Sequence, residues 1–596
     1  MSLEQNEYTH LIISGDLFLK DSQNDEAISC YKKAIQISDI KQWEKKVLLQ
    51  FYNNLGVAYK RKRDFLQAEK IFEEGIRLEP NHQIFYTNLF NIYKLQNRVS
   101  AMESLLLKAI NLPQKELRHF ITLIDFYKDM KNYKKAFDLA LNCVTLFKDK
   151  YDAQLTLGNL FVGIKSYKQA LDPYLAAIAI DKNSTSAYNN IGVAYKELGE
   201  YEKAKAAYEK VLELKENDPA VHNNLGNLLR NMDDFAGSIK HLERSIALNP
   251  SYADAYSNLG AVYKEKKEYE NAQKFYAKAL SLNPEHINAN FDMSLIELMR
   301  GNYALGWKQY EFRLGMDELI SKLYRYKTPI WRGESLVGKR IILQNEQGFG
   351  DNIMFIRYAT NFIALGAKVI IRTRAELVEL FKTIVDIEAV YSEEEEIVSH
   401  DYHLPLLSSA LLFQTTLQNI PSSFPYLHVK HLSDLVKKEK KDVLKIGLVY
   451  SSSRTNKDFK NKYLGLENFK SLFKLKGSAW YSLQAGEDAK EIKTLNLEDS
   501  IVDLSEHLND FSTTASIINS LDLIITTDTS VAHLCGAMNK RAWVMVPRPS
   551  DWRWMQEGES TPWYKSLKLF RQSKSGSWNS VITEIENSLK KEGLKK

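Results

Sequence analysis

Apolar and polar positions in the first half of the chain recur with a period of 34 residues. The strings NNLGVAYK (53–60), TNLFNIYK (87–94), NNIGVAYK (189–196), NNLGNLLR (223–230) and SNLGAVYK (257–264) align without gaps. Their small position is Gly56, Gly158, Gly192, Gly226 and Gly260, with Phe90, Ile124 and Ser294 in the same phase. Twelve residues later a second small position recurs as Ala68, Ala136, Ala170, Ala204 and Ala272. Three residues after the first position stands an aromatic: Tyr59, Tyr93, Tyr127, Phe161, Tyr195 and Tyr263. An extra copy, Gly15 with Phe18, Ala27, Tyr31 and Ala34, precedes these after an insertion around Trp43. Such a pattern predicts antiparallel helix pairs, small residues letting the backbones approach and an aromatic filling the gap beside them. About nine pairs are expected over residues 8–315.

Beyond Tyr303-Ala-Leu-Gly-Trp307 the period fades, and short apolar runs alternate with helical stretches. RIILQ (340–344), KVIIRT (368–373) and AVYS (389–392) read as buried strands. Amphipathic NIMFIRYATNFIALG (352–366) and AELVELFKTI (375–384) read as helices between them. A charged connector at 430–445 precedes KIGLVYSSS (445–453), WYSLQA (480–485), IVDL (501–504) and DLIITTDTS (522–530). VAHLCGAM (531–538) is expected as a helix and RAWVMVP (541–547) as the last strand. This alternation predicts two open parallel sheets, Rossmann-like lobes with a cleft between them. The expected domains are an all-α solenoid over 1–315, an N-terminal lobe over 316–432 and a C-terminal lobe over 433–596.

Composition narrows the function classes without choosing among them. With 44% hydrophobic and 26% charged residues, the chain is neither disordered, fibrous nor a polytopic membrane protein. Eighty Lys and Arg against 75 Asp and Glu leave +5, so neither nucleic acid nor membrane is demanded as a partner. Cys30, Cys143 and Cys535 stand too far apart for a disulfide framework or a metal knuckle. The chain opens on Met-Ser-Leu-Glu-Gln-Asn-Glu, without a basic and apolar leader, and no run approaches the ~18 apolar residues of a membrane span. A cytoplasmic protein is expected. Eight of the nine Trp follow residue 300, so the two parts are built differently.

The period and its small and aromatic positions match the tetratricopeptide repeat, whose arrays stack into a superhelix with a concave binding groove. In the second half, GKRIILQNEQGFGDNIMFIRYATNFIALGAKV (338–369), NSLDLIITTDTSVAHLCGAMNKRAWVMVP (519–547), SDWRWMQEG (550–558) and PWYKSLKLFRQ (562–572) carry a more specific likeness. They resemble a bacterial family joining tetratricopeptide repeats to a GT-B glycosyltransferase domain. That domain is similar to heptosyltransferases and to O-linked N-acetylglucosamine transferases. The resemblance implies a metal-independent enzyme without a cofactor, using a nucleotide-sugar as substrate and a protein as acceptor. Some members are implicated in flagellin glycosylation, which makes flagellin the acceptor it suggests.

The motifs supply candidate residues. Gln347, Gly348 and Gly350 follow a strand and precede a helix, where glycines let a donor approach the backbone. Asp351 matches the heptosyltransferase aspartate proposed as the base that deprotonates the acceptor hydroxyl; its alternative role is to cap the following helix. The Lys-Ser/Thr ending of a P-loop is absent, which argues against an NTPase. Asp528, Thr529 and Ser530 open a helix after an apolar strand and match the heptosyltransferase motif that contacts the donor diphosphate. His533 lies one turn on and is expected either at the donor or as a buried, satisfied imidazole. Ser451, Lys462 and Gln484 complete the donor-side set, Lys462 either as a neutraliser of phosphate charge or as one of several solvated lysines between 454 and 462. Related sequences carry Trp-Ser-Gly and a basic-Ser pair there, whereas this chain has Tyr450-Ser451-Ser452 and Lys462-Tyr463. Trp552, Trp554, Trp563 and Tyr564 are expected as packing. Neither an Asp-x-Asp metal motif nor a zinc-spaced His/Cys set occurs.

In the repeats, Asn54, Asn88, Asn190, Asn224 and Asn258 stand two residues before the small position. A carboxamide offers donor and acceptor together and can grip a peptide backbone, and the row resembles the asparagine ladder of the O-linked N-acetylglucosamine transferases. The bland alternative is a tolerated polar residue on an exposed face. Two other functions stay open: a scaffold whose GT-B-like half no longer catalyses, and a lipopolysaccharide heptosyltransferase-like enzyme.

Overall fold

The structure is a computed structural model describing residues 3–41, 45–316, 325–429, 431–437, 443–454, 459–573 and 576–594. The insertion at Trp43 and the connector residues 430 and 438–442 lie outside the described residues. The chain divides into two compact units, Met1–Leu248 and Asn249–Lys596.

The first unit is helical from Leu3–Lys20 to Phe235–Leu248, with successive helices packed in pairs. Each pair reverses direction on one left-handed residue, and these recur with the sequence period: Arg63, Asn97, Lys131, Lys165, Gly199 and Asp233. The Asp64 N–H then bonds the Tyr59 carbonyl at 3.0 Å, satisfying an acceptor that the helix end leaves open. Asp64 in turn caps the next helix, accepting from the Gln67 N–H at 3.2 Å.

The glycine gap is filled by a residue other than the expected aromatic. A Cβ on Gly56 would stand 2.3 Å from the Phe72 ring, and one on Gly192 would stand 2.6 Å from the Tyr208 ring. The gap filler therefore sits sixteen residues after the glycine, on the second helix of the pair. The aromatic at plus three is buried elsewhere: the Tyr93 hydroxyl donates to Glu69 at 2.9 Å and that of Tyr127 to Glu103 at 2.8 Å, tying each repeat to the preceding one. Two substitutions separate close packing from helix propensity. Gly192→Ala drives a methyl into a fully buried ring and costs about 1–3 kcal/mol. Gly163→Ala meets nothing within 4 Å on an exposed helix end and is neutral or stabilising by up to about 1 kcal/mol. Denaturant unfolding of the two variants reads the difference.

The second unit begins with two more helix pairs, Ala253–Glu265 with Tyr269–Leu282 and Ile287–Met299 with Tyr303–Tyr310. The compact division thus falls at 248/249, whereas the repeat pattern runs on to 315. Two all-parallel sheets follow. The first contains β1 (Arg340–Gln344), β2 (Lys368–Thr373), β3 (Ala389–Ser392) and β4 (Tyr402–Pro405) in the order β3-β2-β1-β4. The second contains β5 (Leu444–Val449), β6 (Ser478–Ser482), β7 (Val502–Asp503), β8 (Leu523–Thr527), β9 (Ala542–Val546) and β10 (Leu567–Arg571). Its order, β10-β9-β8-β5-β6-β7, is that of a doubly wound parallel sheet, with the chain switching direction between β5 and β8.

Three expectations are corrected. The strand over 541–547 is not the last, since β10 pairs with β9 outside it. The edge strand β4 was not foreseen. The helix expected over 352–366 is broken into Phe349–Phe355, a tight turn at Ile356–Tyr358 and Ala359–Ala364. Trp552, Trp554, Trp563 and Tyr564 are all buried and join Tyr303 and Trp307 of the last repeat in one core. The Trp563 indole N–H donates to the Tyr303 hydroxyl at 3.1 Å, and that of Trp307 to the Thr415 carbonyl at 3.0 Å.

Candidate functional site

The loop after β1 is held from beneath. Glu346 is buried and takes a bidentate pair from Arg313, Nε to Oε2 at 2.8 Å and Nη2 to Oε1 at 3.0 Å. Arg313 has no exposed surface and lies just after the last helix of the repeats. Gln347 adopts a left-handed backbone with φ of 53° and exchanges hydrogen bonds with the Tyr310 hydroxyl. Tyr310 is the ninth repeat's gap-filling position, here turned to the loop. Asn352 closes the turn, donating to the carbonyls of Glu346 and Gly348, both at 2.7 Å.

Asp351 stands in the first turn of the helix Phe349–Phe355. Its Oδ2 accepts from the Gly348 N–H at 3.1 Å, so the capping role is present. Its Oδ1 pairs with Arg553, which also donates to Asp551 at 2.8 Å and lies 4.2 Å over the Trp552 ring. The N–H group of Gly348 is therefore occupied by a carboxylate.

The opposite wall comes from the switch point of the second sheet. Asp528 follows β8 and pairs with Lys462 at 2.7 Å. Burial works against its charged form, but the Lys462 ammonium holds the Asp528 carboxyl below the usual range. Thr529 and Ser530 open the helix Ser530–Ala537, whose first N–H groups have no partner within the helix. His533 bonds the Tyr564 hydroxyl through Nδ1 at 2.9 Å and stacks on Trp554 at 5.1 Å. Its other edge meets the first loop, since a Cβ on Gly350 would stand 2.7 Å from its Cδ2.

Burial, reinforced by the Arg553 charge, pushes the His533 imidazole down to about 4. The unfolded chain therefore binds the extra proton between pH 6.5 and 4. Stability from the neutral imidazole is complete above pH 6.5 and declines toward pH 4, by up to about 3 kcal/mol. Unfolding free energies of wild type and His533→Asn, compared across that range, should converge as pH falls. A constant difference would contradict the assignment.

Between these walls lies a cleft of about 510 Å³. Gln347, Gly348, Gly350, Asp351, Lys462, Asp528, Thr529, Ser530 and His533 all line it. Ser451 and Gln484 do not. The Gln484 Oε1 is spent on the N–H groups of Tyr450 at 3.1 Å and Ser451 at 2.9 Å, shaping the loop after β5 from behind. Ser451 donates to buried Asp488 at 2.6 Å, and Ser452 and Ser453 take its place at the cleft. Sequence reasoning missed Phe349, Arg374, Asp551 and Arg553 as lining residues. Arg374 donates to the Gln347 carbonyl at 2.9 Å and lies 4.8 Å over the Phe349 ring. The lining charges balance: Asp351, Asp528 and Asp551 against Arg374, Lys462 and Arg553.

The asparagine row is half-buried, and its side chains bond to polar side chains of the preceding repeat. Asn88 donates to Asn53 of the preceding repeat at 2.9 Å, Asn190 to Asn159 at 2.8 Å and Asn224 to Asn189 at 2.9 Å. Asn54 donates to Asp16 at 2.9 Å, and Asn258 is bonded as well. Carboxamides thus link successive repeats, a role distinct from both peptide gripping and surface tolerance. Among the described residues no group of three or more His, Cys, Asp or Glu is placed to hold a metal ion, and no helix is long and apolar enough to cross a membrane.

Comparison with known proteins bears on the repeats. Tetratricopeptide-repeat families match residues 49–82, 185–218 and 253–286, and the TPR repeat family matches 158–199 and 226–267. Protein FlbA of Caulobacter vibrioides is 25% identical over 335 residues, 50% of this chain and 54% of that protein. The chain thus spans about half the length of the curated relative it matches. A tetratricopeptide repeat protein from Parabacteroides merdae shares 18% identity over 39% of this chain and 93% of its own, with a TM-score of 0.33. YrrB, a TPR protein with an unusual peptide-binding site, shares 22% over 32% of this chain and 98% of its own, with a TM-score of 0.26. The N-terminal region of this chain is a solenoid of tetratricopeptide repeats, followed by a region of parallel sheets.

Proposed function

We propose that the chain is a glycosyltransferase of the GT-B type, taking a sugar from a nucleotide-sugar to a protein held by its repeats. One observation carries this reading. The C-terminal edges of both parallel sheets, where such folds bind nucleotides, open onto one cleft with Asp351 on one wall and Asp528-Thr529-Ser530 on the other. In the proposed step an acceptor hydroxyl oxygen attacks the anomeric carbon. The bond from that carbon to the diphosphate oxygen breaks, and the nucleoside diphosphate leaves with the electron pair. Asp351 takes the hydroxyl proton, while Lys462, Arg553 and the N–H groups at Thr529 and Ser530 offset the charge on the leaving group. Repeats that collect binding energy along a polypeptide raise the local concentration of the acceptor side chain.

A second reading is favoured by the pair between Asp351 and Arg553, which engages the would-be base. In it the chain is a protein-interaction scaffold whose sheets recognise without reacting. A thermal-shift panel of UDP-, GDP-, ADP- and CMP-sugars separates the two. The transferase reading expects stabilisation by one nucleotide class, and no shift with any donor would favour the scaffold.

A further inference from the structure

Three cations line the cleft, and their relations to carboxylates differ. Lys462 faces Asp528, which is buried and would be left uncompensated if the lysine moved away. Arg374 bonds a backbone carbonyl. Arg553 is bonded to two carboxylates, Asp351 and Asp551. Asp551 lies two residues away, accepts the Arg553 backbone N–H at 3.0 Å and caps the same short turn, so it is a fixed partner. Asp351 lies 202 residues away on the opposite wall. The guanidinium, seated over the Trp552 ring, can therefore give up Asp351 without becoming an unpaired buried charge.

We infer that Arg553 is an exchange residue, shared between Asp351 and a diphosphate bound in the cleft. This rests on the reading of the cleft as a nucleotide-sugar site. A diphosphate entering a charge-balanced cleft has to draw a cation from a carboxylate, and the Arg553–Asp351 bond is the one that can be given up. Its transfer to phosphate leaves Asp351 with only the Gly348 N–H, as a carboxylate open to the acceptor proton. Base and donor site are thereby coupled: Asp351 is engaged by Arg553 until the diphosphate arrives.

The test is a double-mutant cycle read by calorimetry with inorganic pyrophosphate on the full chain, using wild type, Asp351→Asn, Arg553→Met and the double variant. Asn preserves the size of the side chain and an acceptor for the Gly348 N–H. Asp351→Asn should bind pyrophosphate about tenfold more tightly, and that gain should vanish in the Arg553→Met background. A gain of equal size in both backgrounds would mean simple charge repulsion from Asp351 and would overturn the inference. So would no gain, or no binding by any variant. Arg553→Gln, which keeps donors toward both carboxylates, replaces the Met variant if the latter does not fold. Pyrophosphate carries neither base nor sugar. A cycle that behaves as expected alongside inactivity with every nucleotide-sugar therefore fails the transferase reading while leaving the anion exchange standing.

Discussion

Asp351→Asn should lower sugar transfer by about two to four orders of magnitude while the nucleotide-sugar still binds. The substitution is nearly isosteric, keeps an acceptor for the Gly348 N–H and so preserves the helix start. What it removes is the carboxylate that takes the acceptor proton. The expected signature is a loss in kcat with donor affinity unchanged or improved, the improvement coming from release of Arg553. Transfer rates at saturating donor check it. Asn at full activity would remove Asp351 from the chemistry and leave it as a cap and an ion-pair partner.

The second large effect is on stability. Arg313→Met strands the buried Glu346 carboxylate, which among the described residues then keeps only the Leu407 N–H at 2.8 Å. Breaking a buried bidentate pair from one side costs about 3–5 kcal/mol, because the remaining charge has lost its compensation. Replacing both partners with apolar residues, Arg313→Met with Glu346→Leu, should recover much of that loss. The two variants are compared by denaturant unfolding. Equal destabilisation by the single and double changes would show that the pair is needed for more than charge balance. The single variant should also lose activity, since Glu346 anchors the loop that carries Gln347 through Asp351.

What the sequence disclosed follows from how local each feature is. The repeats were legible because every copy repeats the same contact at the same spacing. The gap filler was misplaced because the pattern cannot say which of two aromatic positions faces the glycine; Tyr59 and Phe72 both fit until the helices are paired. The central strands were legible as continuous apolar runs, since a sheet covered on both faces has no polar side. Of the four edge strands, β3 and β7 were legible, whereas β4 and β10 were not. In β4, Tyr402-His403-Leu404-Pro405 ends in proline, and in β10 Lys568 and Arg571 interrupt the apolar pattern. The loops after β1 and β8 were legible because each follows its strand directly. Arg374, Asp551 and Arg553 were invisible as site residues because only folding brings them to the cleft, and no local pattern distinguishes them from other surface charges. Gln484 was assigned to the donor from its place at a strand end. Its carboxamide is used by the backbone of a neighbouring loop, which strand position alone does not reveal.

The central claim is that this cleft breaks the bond between sugar and nucleotide. Its most direct measurement is nucleotide release from the same UDP-, GDP-, ADP- and CMP-sugar panel, comparing wild type with Asp351→Asn in the presence of a protein acceptor. Flagellin is the first acceptor to try, with a bacterial lysate as the broader alternative. Wild type is expected to release nucleotide from one donor class and to label protein, while Asp351→Asn binds that donor and does neither. Release from none of the donors, or equal release by both proteins, would contradict the claim.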